Sequence, residues 1–163
     1  MDKAREIILE LINQRHYSII YIDENNIQCK DIKTDKIISV NFIIKVKLNI
    51  KQISEIINNL KNQNIDHCIL IYEDTITSMT YKAIQQCIDF TVELFHVSEL
   101  QYNITKHELQ PSFEKINSTD MFTRDKLPAL LSTDPVSRFY NFTKNDIIQI
   151  TDDKGLVYHR IVK

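Results

Sequence analysis

Glycine occurs once in the 163 residues, at Gly155, and proline only three times. A glycine-rich loop that cradles phosphate needs several glycines close together, so every nucleotide-binding motif of that kind is excluded. No stretch approaches the roughly 18 uninterrupted apolar residues of a membrane-spanning helix. The three cysteines, Cys29, Cys68 and Cys87, are widely spaced and include no C-x-x-C pair. They read as buried, reduced thiols of a nuclear or cytosolic protein rather than disulfide or zinc ligands. A basic excess is also missing. There are 20 Lys and Arg against 22 Asp and Glu, a net charge of -2 and a pI near 6.2. Divided at His96, the chain has 11 basic and 13 acidic residues before the cut and 9 of each after it. Neither part is a module that holds nucleic acid through its own charge. The segment Met1-Asp2-Lys3-Ala4-Arg5-Glu6 is too charged for a signal or transit peptide. The expectation is a protein neither secreted nor embedded in a membrane.

What is present is isoleucine, asparagine and lysine in abundance, a coding bias of AT-rich genomes, arranged in recognisable periods. Ala4, Ile7, Ile8, Leu11 and Ile12 have the spacing of a helix lying on a core. Residues 18–22 read as a strand, Asp23-Glu24-Asn25-Asn26 as a turn, and a second extended segment begins at Ile27. Residues 37–48 read as another strand, placed at a sheet edge by Lys45 and Lys47. Asn49 with Gln52 forms a capping box for a helix whose stripe is Ile53, Ile56, Ile57 and Leu60. The run 66–72 is apolar enough to be covered on both faces. Thr77 or Ser78 caps a helix ending near Gln86. Residues 89–96 alternate Phe90, Val92 and Leu94 against Thr91, Glu93 and His96, which reads as a half-buried strand with Glu93 outward. Ser98-Glu99-Leu100-Gln101 has the capping-box pattern for one helical turn, and Tyr102-Asn103-Ile104 reads as extended. All three prolines lie in the last third, and residues 111–126 are polar. Two closing strands, 147–150 and 156–161, flank the turn Asp152-Asp153-Lys154-Gly155, where glycine supplies a positive φ. The class is α+β: a small α/β unit with a mixed sheet over residues 1–99, and a small α+β unit over 100–163.

Catalytic chemistry is hard to place. His16, His67, His96, His107 and His159 have no metal-ligand spacing on any one element. There is no G-x-S-x-G elbow and no flanking pattern of a cysteine nucleophile. Glu73-Asp74 after the buried run would suit a nuclease of restriction-endonuclease type, but the acid-x-Lys partner is missing from Ile43-Ile44-Lys45-Val46-Lys47. No metal, cofactor or small-molecule ligand is expected.

Four segments, in order, carry a family resemblance. Asn103-Ile104-Thr105-Lys106-His107-Glu108-Leu109-Gln110-Pro111 resembles Asn-Ile-Thr-His-His-Glu-Leu-Val-Pro, which opens the assembly domain of the fifth-largest subunit of eukaryotic RNA polymerases and the whole of its smaller archaeal counterpart. Leu127-Pro128 through Asp134-Pro135-Val136-Ser137-Arg138-Phe139-Tyr140 resembles the family's Leu-Pro-(Arg/Lys)-Ile and Asp-Pro-Val-Ala-(Arg/Lys)-Tyr/Leu. Asn145 to Ile150 fills the slot of Arg-Gly-Glu/Gln-Val-Val-Lys-Ile, and Tyr158 to Val162 that of the closing Tyr-Arg-Ile/Leu-Val. Upstream, Asn64 to Thr77 resembles the end of the jaw domain, a restriction-endonuclease-like fold without the active site.

The resemblance implies a non-catalytic subunit that docks on the largest polymerase subunit and adds to the jaw around downstream duplex DNA. It places His107, Glu108, Leu109, Pro111, Leu127, Pro128, Asp134, Pro135, Arg138 and Tyr140 at the docking surface. Leu127, Pro128, Asp134 and Pro135 serve the fold as readily, since Asp134 can cap the helix that Pro135 opens and leave Arg138 outward. Thr77, Ser78 and Lys82 are the DNA-proximal residues, although Ser78 stands where the family has a turn proline. Asn145-Asp146 replaces Arg-Gly, with asparagine taking the left-handed conformation. The short jaw and the composition suggest a large DNA virus, and hence a nucleus, viral factory or virion as the place of action. The alternative is a free-standing transcription adaptor that kept the fold.

Overall fold

The computed structural model describes residues 2–44, 47–87, 89–116 and 126–163. They form two compact units, Met1–Tyr102 and Asn103–Lys163. The division falls after Tyr102, beyond the expected boundary at residue 99. Leu100, 1% exposed, falls on the first unit's side of it.

The first unit is one five-stranded mixed sheet. Its elements are α1 (Asp2–Gln14), β1 (Tyr17–Ile22), β2 (Asn26–Asp31), β3 (Ile37–Ile43), α2 (Ile50–Asn62), β4 (His67–Tyr72), α3 (Ser78–Gln85) and β5 (Thr91–His96). The strands stand in chain order, with β1, β2 and β3 antiparallel and β3, β4 and β5 parallel. Parallel neighbours need a crossover, and α2 and α3 supply the two. Ile53, Ile57 and Leu60 of α2 and Ile84 of α3 bury against Cys68 and Leu70 of β4, with Val92 and Leu94 of β5 alongside. The opposite face carries Val40, Ile69, Ile71 and Phe95, beneath the α1 stripe of Ala4, Ile7, Ile8, Leu11 and Ile12. The β4 strand is therefore buried on both sides, as its apolar run requires. Burial pushes the Cys29 and Cys68 thiols up to about 12, so both are inert.

Local signals are met at the caps. The Asn49 side chain accepts the Gln52 N–H at 3.0 Å, and the Asn49 N–H donates to the Gln52 side chain at 3.1 Å. Thr77, rather than Ser78, caps α3, accepting the Thr80 N–H at 3.2 Å.

Several expectations need correction. The strand at 37–48 stops at Ile43 and is internal, between β2 and β4; Lys47 lies outside it and Lys45 outside the described residues. The edges are β1 and β5, and Ile19, Ile20, Tyr21 and Ile22 of β1 are about half exposed. The capping box after β5 belongs to His96 and Glu99, not Ser98 and Gln101, and winds a 3-10 turn at Val97–Leu100. Of Tyr102-Asn103-Ile104, Asn103 is extended as the cap, while Ile104 already opens a second 3-10 turn at Ile104–Lys106.

The second unit continues with β6 (Ser112–Ile116), β7 (Ala129–Leu130), α4 (Pro135–Tyr140), β8 (Ile147–Thr151) and β9 (Val157–Val162). The β6 strand lies in the stretch read only as polar; residues 117–125 lie outside the described residues. Strand order is β6-β8-β9-β7, antiparallel except for β7 with β9. Leu130, Ile148, Ile150 and Val162 form the core, with Phe113 and Phe142 packed on it. Gly155 has φ 79° in the β8–β9 turn, and Asn145 has φ 73° before β8, the left-handed conformations expected of both.

Candidate docking surface

In the second unit the clearest local design is α4. The Asp134 carboxylate accepts the Val136 N–H at 2.9 Å, and Pro135 opens the helix where its missing N–H forfeits nothing. Asn141 ends it at φ 55°, and the Phe142 N–H reaches back to the Ser137 carbonyl at 2.9 Å. Val136, Ser137 and Phe139 are buried, leaving Pro135 exposed and Asp134, Arg138 and Tyr140 half-buried. Arg138 therefore does not stand free in solvent; it is half-buried and engaged by a neighbouring group. Tyr140 stacks on Phe142 with centroids 5.2 Å apart and meets Phe139 edge-on at 6.1 Å.

The 3-10 turn Ile104–Lys106 packs beside α4. Its cap, Asn103, is buried and accepts from the Thr105 N–H and hydroxyl at 3.0 and 2.6 Å. This rigid base presents His107, Glu108 and Leu109 to solvent. The Leu109 N–H donates to His107 Nδ1 at 3.2 Å, which holds the loop, yet the Leu109 side chain is 85% exposed. Pro111, half-buried, leads into β6.

Leu127 and Pro128 lie just ahead of β7. The Pro128 carbonyl accepts the Ile161 N–H at 3.0 Å, and Leu130 and Ser132 bond the Lys163 backbone, both at 2.9 Å. They feed β7 alongside β9. The structure thus sets the Ile104–Lys106 turn, which leads into the His107–Leu109 loop, beside α4 and ties Pro128 into the sheet.

In the first unit Thr77, Ser78 and Lys82 are exposed along α3. Glu73 and Asp74 leave β4 exposed, and the Glu73 carbonyl accepts from His96 Nε2 at 2.9 Å. Among the described residues no group of three His, Cys, Asp or Glu side chains is placed to hold a metal ion.

One cluster in this unit escaped the sequence reading. Glu93 faces inward and receives both guanidinium nitrogens of Arg15, at 2.7 and 2.8 Å, and His67 Nε2 at 2.7 Å. Burial alone would raise the Glu93 carboxyl, but the Arg15 charge and the bonds from His67 and Arg15 hold it down to about 2. Arg15 lies 78 positions from Glu93, so nothing local signals the pair.

These features meet known proteins in one place. The family described as RNA polymerase Rpb5, C-terminal domain, matches residues 102–162, close to the span of the second unit. The protein named DNA-directed RNA polymerase subunit 454R, from Invertebrate iridescent virus 6, is 31% identical over 99% of both chains. The chain belongs to the Rpb5 family of DNA-directed RNA polymerase subunits. Other relatives agree: DNA-directed RNA polymerases I, II, and III subunit rpabc1 of Dictyostelium discoideum is 26% identical over 91% of this chain and 87% of its own. DNA-directed RNA polymerases IV and V subunit 5B of Arabidopsis thaliana is 30% identical over 56% of this chain and 45% of its own. The viral and the Dictyostelium alignments reach into the first unit, so this Rpb5-type chain resembles its relatives beyond the C-terminal domain. Within the described residues no helix is long and apolar enough to cross a membrane.

Proposed function

We propose that this chain is a non-catalytic subunit of a multisubunit DNA-directed RNA polymerase, docked on the largest subunit through residues 103–163. Its first unit would then add to the jaw beside downstream DNA, with Thr77, Ser78 and Lys82 nearest the duplex. The observation that carries the reading is the match of the Rpb5 C-terminal domain to the compact second unit. The exposed Leu109 supports it, since an apolar side chain presented on a braced loop is suited to a partner pocket. His107 and Glu108 adjoin that anchor in the chain, and with Tyr140 of α4 they would supply polar and aromatic contacts. The chain would act wherever its polymerase works, in a nucleus or a viral factory.

Copurification tests this. A tagged chain should bring down the two large catalytic subunits in equal amounts, and Leu109→Asp should weaken that recovery about tenfold or more without unfolding the protein. Recovery of transcription factors without the large subunits would replace the reading with that of an adaptor.

A further inference from the structure

The last element of the first unit is the 3-10 turn Val97–Leu100, and the residue that caps it is a histidine. Helix caps are ordinarily Ser, Thr, Asp or Asn, whose acceptor oxygens survive mild acidification. His96 differs, because its acceptor is a ring nitrogen that protonation removes.

Two contacts fix which nitrogen holds the proton. The Ser98 N–H can only donate, and it meets Nδ1 at 3.2 Å, so Nδ1 offers a lone pair. The Glu73 carbonyl can only accept, and it stands 2.9 Å from Nε2, so Nε2 carries the hydrogen. One species satisfies both bonds, the neutral Nε2–H tautomer. Ser98 Oγ, 2.6 Å from Nδ1, then donates to it as well. The other half of the capping box is the His96 N–H, which donates to Glu99 Oε2 at 2.8 Å. A proton added at Nδ1 changes this pattern. Ser98 Oγ can turn and accept from Nδ1–H, but the Ser98 N–H is stranded without its acceptor. The ring stays on Glu73 while the turn loses its cap.

His96 alternates with Leu94 onto the sheet face away from α1, edge-on to Tyr72 with ring centroids 5.2 Å apart. From β4 it meets Tyr72 and the exposed Glu73; beyond them Asp74 is turned to the Thr75 N–H at 2.7 Å. From the turn itself comes Glu99. On the opposite face of the sheet, α1 also touches the turn. There Lys3 pairs with Glu6, Arg5 holds the Asp23 and Glu24 carbonyls, Asp2 is exposed and Glu10 is half-buried. The charged side chains of α2 and α3, Lys51, Glu55, Lys61 and Lys82, are exposed.

We propose that His96 makes the end of the first unit sensitive to protonation. Neutral, it holds the Val97–Leu100 turn on the exit of β4; protonated at Nδ1, it lets that turn loosen. Leu100 lies on the turn and is 1% exposed, so loosening reaches the packing of the unit and not its surface alone. The device belongs to the first unit and does not depend on how the second unit docks.

NMR on the full chain tests the proposal. The ring-nitrogen shifts of His96 should show the Nε2–H tautomer at alkaline pH. As the ring is protonated, the Ser98 amide should lose about fivefold or more of its protection from exchange, taken against the intrinsic rate at each pH. The loss should centre on Ser98, Glu99 and Leu100, while Ile69 in the middle of the sheet keeps its protection. His96→Asn, which caps without titrating, should abolish the pH dependence at Ser98. An Nδ1–H tautomer, unchanged protection at Ser98 through the titration, an equal loss at Ile69, or the same loss in His96→Asn would each overturn it. The first three readings need no variant, so they decide the matter even where His96→Asn fails to fold.

Discussion

Ser137 carries a hydroxyl into the fully buried side of α4, where it has no hydrogen-bond partner among the described residues. A buried hydroxyl without a partner costs about 1 to 3 kcal/mol, so Ser137→Ala should stabilise the protein by about 1 kcal/mol, read as a raised urea midpoint. Alanine is also what the family pattern has at this position. The opposite case is Glu93, whose carboxylate is satisfied by Arg15 and His67. Its folded pKa of about 2 lies below the ordinary 4.5, so its contribution is present above that value and is lost as pH falls toward 2. Glu93→Gln should lower stability by about 3 kcal/mol at pH 7, because Arg15 is left buried without a counter-charge. Denaturant titrations from pH 7 down to 3 should show the gap between wild type and variant closing. An equal gap at both ends would mean that the cluster contributes through shape rather than charge.

Among elements, helices were the most legible. The stripe of α1 and the capping box of α2 are local, so residues within a few positions settle them. The same holds for α4, where Asp134-Pro135 announces both cap and first turn. Sheet order is a different matter. Lys45 and Lys47 suggested an edge, but which strand is outermost depends on what α1, α2 and the crossovers leave uncovered, not on residues near 45. Glu93 failed in the same way, since alternation says which side chains share a face and not which face has a partner. The β6 strand hid in polar company, with only Phe113 and Ile116 to mark it. Of the docking set, the helix start was readable, whereas the half-burial of Arg138 was not. At the start of α3, Ser78 is the first helical residue and Thr77 before it is extended, at φ -71° and ψ 150°. Proline fits both conditions, so Ser78→Pro should raise stability by about 0.5 kcal/mol, measured by thermal denaturation.

For the whole molecule, the near balance of charge decides how it can meet DNA. With a net charge of -2, the isolated chain should bind duplex DNA no more tightly than a generic acidic protein. Fluorescence anisotropy at low salt would show this; micromolar, salt-sensitive binding would contradict the view that other subunits bring this one to the template. The order of strands in the second unit also governs when that unit can exist. The β9 strand, which follows β7 and β8 in the chain, sits inside the sheet between them, and among the described strands β7 pairs with β9 alone. As the chain leaves the ribosome, β7 emerges early and waits with its backbone groups unmatched until β9 follows. The second unit thus stays incomplete until β9 has been made, so a chain stalled or nicked before Val157 would carry β7 without the strand it pairs with.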